Sequence, residues 1–141
     1  MDTFPPVIAT VGGGGTRLYP LTLDQPKPLV DLCDTAIIAT LFRVLAIQGC
    51  RRFILGSKGA ENTLPLNNYF KAGEGFFKGL GITEIEEFSY QPQYEDKGSA
   101  DSLRYCANFF DINEDMLVVS GDNVIDINLK KFVEFHRKKG A

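Results

Sequence analysis

The sequence has no surplus of basic charge. Fifteen Lys and Arg stand against 18 Asp and Glu, a formal net charge of -3, and a general nucleic-acid binder usually carries a basic excess. Long apolar runs are also missing: none approaches the length of a membrane span. The opening MDTFPPVIAT lacks the charged start and long apolar core of a signal peptide. A cytoplasmic protein with no nucleic-acid or membrane partner is therefore expected. Cysteine is scarce. Cys33, Cys50 and Cys106 are odd in number and have no CxxC spacing, which fits three reduced, mostly buried thiols better than a disulfide framework. The only histidine, His136, falls in the closing segment and reads as a partly exposed surface residue rather than a catalyst.

What is present looks globular. Hydrophobic residues make up 44% and charged residues 23% of 141 positions, near the average for folded domains. A chain of this length buries roughly two-thirds of its unfolded surface in one domain. Apolar runs alternate with helical patterns. Val7–Val11, RFILGS, TEIEEFSYQ and MLVVS read as four strands. Between them, Ala36–Gly49 spaces Ile37, Leu41, Val44, Leu45 and Gln48 as a helix does, with Gly49 as its stop. A short helix is expected around Asn62–Phe70, and GSADSLRYCANFF reads as a helix with Ser99 as its N-cap. The chain closes on NLKKFVEFHRKKG, an amphipathic helix whose basic last turn suits the helix dipole and is otherwise a solvated face. The four glycines of KAGEGFFKGLG are expected to interrupt any regular element, leaving Phe76 and Phe77 either on a mobile loop or tucked into the core edge. Strand and helix in alternation, with uniformly apolar strands, predict an α/β fold: a parallel sheet covered on both faces.

One stretch is neither helix nor strand. VGGGGTRLYPLTLDQPKPL, Val11 to Leu29, holds four consecutive glycines, three prolines, Arg17 and Lys27. It is not a P-loop, because Gly15 is followed by Thr16-Arg17 where Gly-Lys-Ser/Thr is needed. It also fails the dinucleotide fingerprint, because Arg17 takes the place of the third glycine. Bare glycine N–H groups can approach an anion without a Cβ in the way. Pro20, Pro26 and Pro28 prevent a long helix from following at once, so side-chain cations are left to supply positive charge. On composition alone a glycine-rich surface turn remains as good a description as an anion loop.

The whole string resembles the signature of the sugar-nucleotide pyrophosphorylases, nucleotidyltransferases that join a nucleoside triphosphate to a sugar 1-phosphate. Their Gly-Gly-x-Gly-Thr-Arg-Leu, Pro-Leu-Thr and Pro-Lys-Pro-Leu correspond to Gly12–Leu18, Pro20–Thr22 and Pro26–Leu29. The resemblance continues in QPQYEDKGSAD and in VVSGDNVID, which is similar to the family's Gly-Asp metal loop. It implies a Rossmann-like parallel sheet ordered 3-2-1-4, with residues 1–141 as the N-terminal nucleotide-binding part of a larger domain. It also implies nucleotidyl transfer from a nucleoside triphosphate to a sugar 1-phosphate, releasing pyrophosphate, with Mg²⁺ as cofactor.

The resemblance carries roles over residue by residue. Arg17 grips the triphosphate and Lys27 faces the reacting phosphates. Gly12, Gly13, Gly15 and Thr16 form the nucleotide loop, while Gln93 and Gly98 lie in the nucleobase-reading segment, with Gln91 the alternative to Gln93. Asp122 is either a turn residue, common beside Gly and Asn, or the Mg²⁺ ligand; hard cations prefer carboxylate oxygen. In a sheet ordered 3-2-1-4, the loops after strands one and four flank the reversal point where such sheets bind ligands. Asp126 is left as a strand or turn residue. A calcium loop in DINEDMLVVSGD is excluded because Met116 stands where Gly is needed. The sequence departs from the family in Thr10-Val11, where Leu-Ala is usual, in CDTAII, where Gly-Lys-Pro is usual, and in its length. Turnover by this chain alone is therefore expected to be low. A non-catalytic interaction or nucleotide-sensing module of the same fold is the alternative. A sheet ending at its fourth strand should expose an edge, which predicts a homo-oligomer.

Overall fold

The computed structural model describes residues 4–13, 15–90 and 98–141. The first apolar run forms β1 (Val7–Val11). After the glycine loop and a turn come β2 (Asp31–Leu32) and β3 (Thr35–Ala36), then α1 (Ile37–Ile47), β4 (Arg52–Lys58), α2 (Ala60–Ala72), α3 (Glu74–Gly79), β5 (Glu84–Tyr90), α4 (Ser99–Phe109), β6 (Leu117–Ser120) and α5 (Leu129–Lys139). Four strands make one parallel sheet in the order β5-β4-β1-β6. That is the 3-2-1-4 arrangement the sequence predicts. The minute β2–β3 hairpin, antiparallel and two residues a side, was not anticipated.

β1 lies inside the sheet, and Val7, Ile8 and Ala9 have no exposed surface. Strands buried on both faces read as continuous apolar runs because neither alternate position sees water. One face packs Val7, Ala9, Phe53, Leu55, Leu117 and Val119 against α1, α2, α3 and α5. The opposite face puts Ile8 and Ile54 against Cys106 of α4, with Phe88 and Leu103 beside them. Phe42 of α1 anchors the larger cluster, its ring 4.4 Å from that of Phe53 and 5.2 Å from that of Phe70. Burying each such side chain is worth roughly 1.5–3 kcal/mol.

Several local expectations are corrected. The outer strands are not uniformly apolar. β5 is largely half-buried, and in β6 only Leu117 and Val119 are buried, as suits edge strands that are covered on one side. The glycine-punctuated stretch after Lys71 is helical rather than irregular. Gly73, Gly75 and Gly79 are accommodated at the start, interior and end of the one-and-a-half-turn α3, because Phe77 is drawn into the core at 2% exposure while Phe76 stays outside. α4 begins one residue earlier than expected. Its N-cap is Gly98, at φ 86°, and Ser99 is the first helical residue, its carbonyl accepting from the Ser102 hydroxyl at 2.8 Å. Of the three thiols, Cys50 and Cys106 are buried and Cys33, in the β2–β3 turn, is exposed. Gly49 ends α1 at φ 117°, and His136 is half-buried, with Nε2 3.3 Å from Asp115, both as a helix stop and a surface histidine should be.

Candidate functional site

The prolines of the glycine segment act as expected. Among the described residues the chain forms only two single 3₁₀ turns there, Thr16–Leu18 and Lys27–Leu29. The loop is held from within by Thr22, a buried residue whose hydroxyl donates to the Gly15 carbonyl at 2.7 Å. Gly15 has φ 64°, and a Cβ there would also lie 3.1 Å from Thr22. From outside, buried Asn62 of α2 donates to the Lys58 carbonyl at 2.7 Å and, at 3.4 Å, reaches the Gly13 carbonyl. Thr22 and Asn62 were not singled out from sequence. Their type gives the only signal: a buried polar side chain must find a partner.

The loop opens into a cleft of about 510 Å³. Its floor is the C-terminal end of β1 and β6: Thr10, Val11, Val118, Val119 and Ser120. Gly12, Gly13 and Lys58 form one wall, Lys27 and Asp122 a second, and Gly98, Ser99 and Ser102 at the start of α4 a third. β1 and β6 are the neighbours between which the strand order reverses, and open α/β sheets bind ligands at that crevice.

Lys27 and Asp122 meet directly. The ammonium donates to Oδ2 of Asp122 at 2.8 Å, and the Ser120 hydroxyl donates to Oδ1 at 2.6 Å. Partial burial pushes the Asp122 carboxyl up, but the Lys27 and Ser120 donors outweigh it and hold the group below the ordinary carboxylate value. Gly121 permits this meeting. Its N–H donates to the Thr10 carbonyl at 2.9 Å, and a Cβ on it would lie 2.7 Å from Val11 Cγ2. The segment after β6 can therefore press against the end of β1 only because that position is glycine.

Of the residues predicted from sequence, Gly12, Gly13, Lys27, Gly98 and Asp122 come together on the cleft wall. Gly15 and Thr16 lie one turn further along the loop, and Arg17 sits exposed on the Thr16–Leu18 turn, off the wall. Gln93 and Gln91 lie outside the described residues. Lys58 is a wall cation the sequence reading did not single out; its place at the end of the second apolar strand, beside the glycine loop, was the available signal.

Whether the wall suits a divalent ion can be judged from its donors. Among the described residues no group of three or more His, Cys, Asp or Glu side chains gathers to hold a metal. Asp122 offers a single hard carboxylate, and a cation, the Lys27 ammonium, already rests on it. Mg²⁺ is commonly held by one or two carboxylates together with substrate phosphates and water. The residues fit an ion that arrives with a polyphosphate, not a protein-only cage.

A parallel sheet with a glycine loop, a lysine and a carboxylate at its reversal point is the frame of a ligand-binding α/β protein. The nucleotidyl transferase family model matches residues 7–141, and the chain belongs to that family. It is 31% identical over 131 residues to the mannose-1-phosphate guanylyltransferase catalytic subunit beta of Drosophila pseudoobscura pseudoobscura, covering 92% of this chain and 33% of the relative. It is 29% identical over 134 residues to the UTP–glucose-1-phosphate uridylyltransferase AglF of Haloferax volcanii, covering 95% and 50%. Among solved structures, a UDP-glucose pyrophosphorylase complexed with UDP-glucose superposes with a TM-score of 0.72 at 18% identity, over 99% of this chain and 55% of that one. HddC from Yersinia pseudotuberculosis complexed with GMP-PN gives 0.70 at 23% identity, over 94% and 54%. The chain thus spans about a third of the first curated relatives and half of the solved ones, and its fold is that of the sugar-1-phosphate nucleotidyltransferases.

Proposed function

We propose that this chain supplies the triphosphate- and Mg²⁺-binding side of a sugar-1-phosphate nucleotidylyltransferase. The supporting observation is the cleft at the strand-order reversal, where the glycine loop, Lys27 and Asp122 converge. The reaction is attack by an oxygen of the sugar phosphate on the α-phosphorus of the nucleoside triphosphate. The bond from that phosphorus to the β-phosphate bridging oxygen breaks, and pyrophosphate leaves. Such transfers need alignment and charge neutralisation more than covalent help from the protein. The N–H groups of Gly12, Gly13 and Gly15, with Thr16, receive phosphate oxygens. Lys27 faces the reacting phosphates, Arg17 takes the outer ones by folding in from its exposed turn, and Lys58 adds charge to the cleft lining. Gly98 and Gln93 lie toward the nucleobase. When bound at Asp122, Mg²⁺ supplies further neutralisation of phosphate charge.

Mannose-1-phosphate and glucose-1-phosphate are the acceptors in the names of the relatives, and a hexose 1-phosphate is the acceptor we assign. These 141 residues alone are expected to turn over slowly, and self-association is part of the reading. Calorimetric titration with Mg²⁺ and each of the four ribonucleoside triphosphates should show binding of at least one. Arg17→Ala should weaken that triphosphate more than the matching monophosphate. Equal losses for both ligands would remove Arg17 from the outer phosphates, and no binding of any triphosphate would leave the interaction-module alternative.

A further inference from the structure

Both oxygens of the Asp122 carboxylate are occupied by this chain's own donors, Oδ2 by the Lys27 ammonium at 2.8 Å and Oδ1 by the Ser120 hydroxyl at 2.6 Å. The pair is partly exposed: the Asp122 side chain is 27% exposed and that of Lys27 42%, Pro26 and Pro28 beside Lys27 are buried, and both partners line the same cleft. Among the described residues that line the cleft, Asp122 is the one carboxylate. A divalent ion approaching Asp122 without nucleotide therefore meets one carboxylate whose charge is already balanced, at a point where two cations would repel across a few ångströms.

Resting on the assignment of Asp122 to the metal and Lys27 to the phosphates, we propose that Lys27 and the divalent ion are mutually exclusive partners of Asp122, so that metal-triphosphate binding is an exchange. Lys27 leaves the carboxylate for a phosphate oxygen as the ion takes its place. Three consequences follow from the geometry. Metal alone binds poorly, because it must displace an ammonium that has nowhere comparable to go. Triphosphate alone must also break the Lys27–Asp122 contact, leaving a partly buried carboxylate without its cation. The two ligands together satisfy every group, which makes their binding mutually favourable by an equal factor in each direction. The flexible four-carbon stem of a lysine suits such a transfer.

Removing the ammonium should therefore have opposite effects on the two ligands. Mn²⁺ serves as the probe, its free concentration read from the electron paramagnetic resonance of the aqueous ion, with no nucleotide present. Lys27→Met and Lys27→Gln should each bind Mn²⁺ about tenfold more tightly than the unmodified chain, a change that one lost ion-pair interaction at a partly buried site can supply. The gain should vanish in Lys27→Met/Asp122→Asn. The same Lys27 variants, titrated with triphosphate in chelator by calorimetry, should bind it more weakly. Circular dichroism melts confirm that each variant is folded. Unchanged or weaker Mn²⁺ binding in both folded Lys27 variants overturns the exchange. The parent assignment is judged separately: if Asp122→Asn leaves Mn²⁺ binding in the presence of triphosphate unaltered, Asp122 is not the metal residue at all.

Discussion

Gly121 sets how near the end of β6 can lie to β1, and through that the reach of Asp122 toward Lys27. A methyl group at this position would press on Val11 Cγ2 at 2.7 Å and on the Thr10 carbonyl at 3.2 Å, and neither is the far end of a flexible side chain. Gly121→Ala should cost roughly 1–3 kcal/mol, the usual penalty of forcing extra volume into a packed site. Gly75→Ala is the control. That glycine is helical, meets nothing within 4 Å and has no positive φ, so alanine there should stabilise by up to about 1 kcal/mol. Urea denaturation of the two variants measures the contrast, and equal midpoints would refute it. At this scale the motif made Lys27 and Asp122 legible in advance. Thr22 and Asn62 were not, because their work is to pin carbonyls of a loop whose path only tertiary packing fixes.

Elements divide in the same manner. α1 and α5 were legible because their apolar residues repeat at the helical period, and β1 and β4 because strands buried on both faces read as continuous apolar runs. α3 was not. Glycine-rich segments carry little periodic signal, and a single aromatic decides the outcome: Phe77 stacks on Phe70 with ring centroids 4.9 Å apart and meets Phe42 at 6.2 Å. Tertiary burial overrides the weak helix propensity of Glu-Gly-Phe-Phe-Lys-Gly, with an ion pair from Lys78 to Glu74 at 2.6 Å adding little at so exposed a place. Phe77→Ala should cost about 3–5 kcal/mol, whereas Phe76→Ala, at a ring 52% exposed, should fall within about 0.5 kcal/mol of the unmodified chain. Similar losses for both in thermal melts would mean that α3 does not pack through Phe77. The outer strands show why pattern alone misjudged them. An edge strand needs an apolar face only where something covers it.

As a whole the molecule has two unlike edges. β5 presents Glu84, Glu86 and Glu87, two of which engage Arg52 of β4 at 3.2 and 2.9 Å, and charge along an edge discourages pairing with a further strand. β6 carries no such defence. Leu117 and Gly121 donate to Pro6 and Thr10, so by alternation the N–H groups of Val118 and Ser120 point away from β1. Self-association is expected through this edge. Val118→Pro would remove one outward donor without touching the β1 ladder, as proline is tolerated on the open side of an edge strand. Light scattering should show a concentration-dependent dimer in the unmodified chain and monomer in Val118→Pro; monomer at every concentration in both would end the idea. The same edge has a second consequence, in time rather than in space. β1 meets β4 over a short separation, Val7 opposite Phe53, but meets β6 across about 110 residues, Val7 opposite Leu117. Closing so long a loop costs more chain entropy than any other joint in the sheet, so β1, β4 and β5 are able to assemble while β6 is still adrift. Lys27 and Asp122 stand on opposite sides of that last joint. The capacity to bind is then the final property the folding chain acquires, and a ligand spanning both residues acts as a clasp that slows opening without hastening closure.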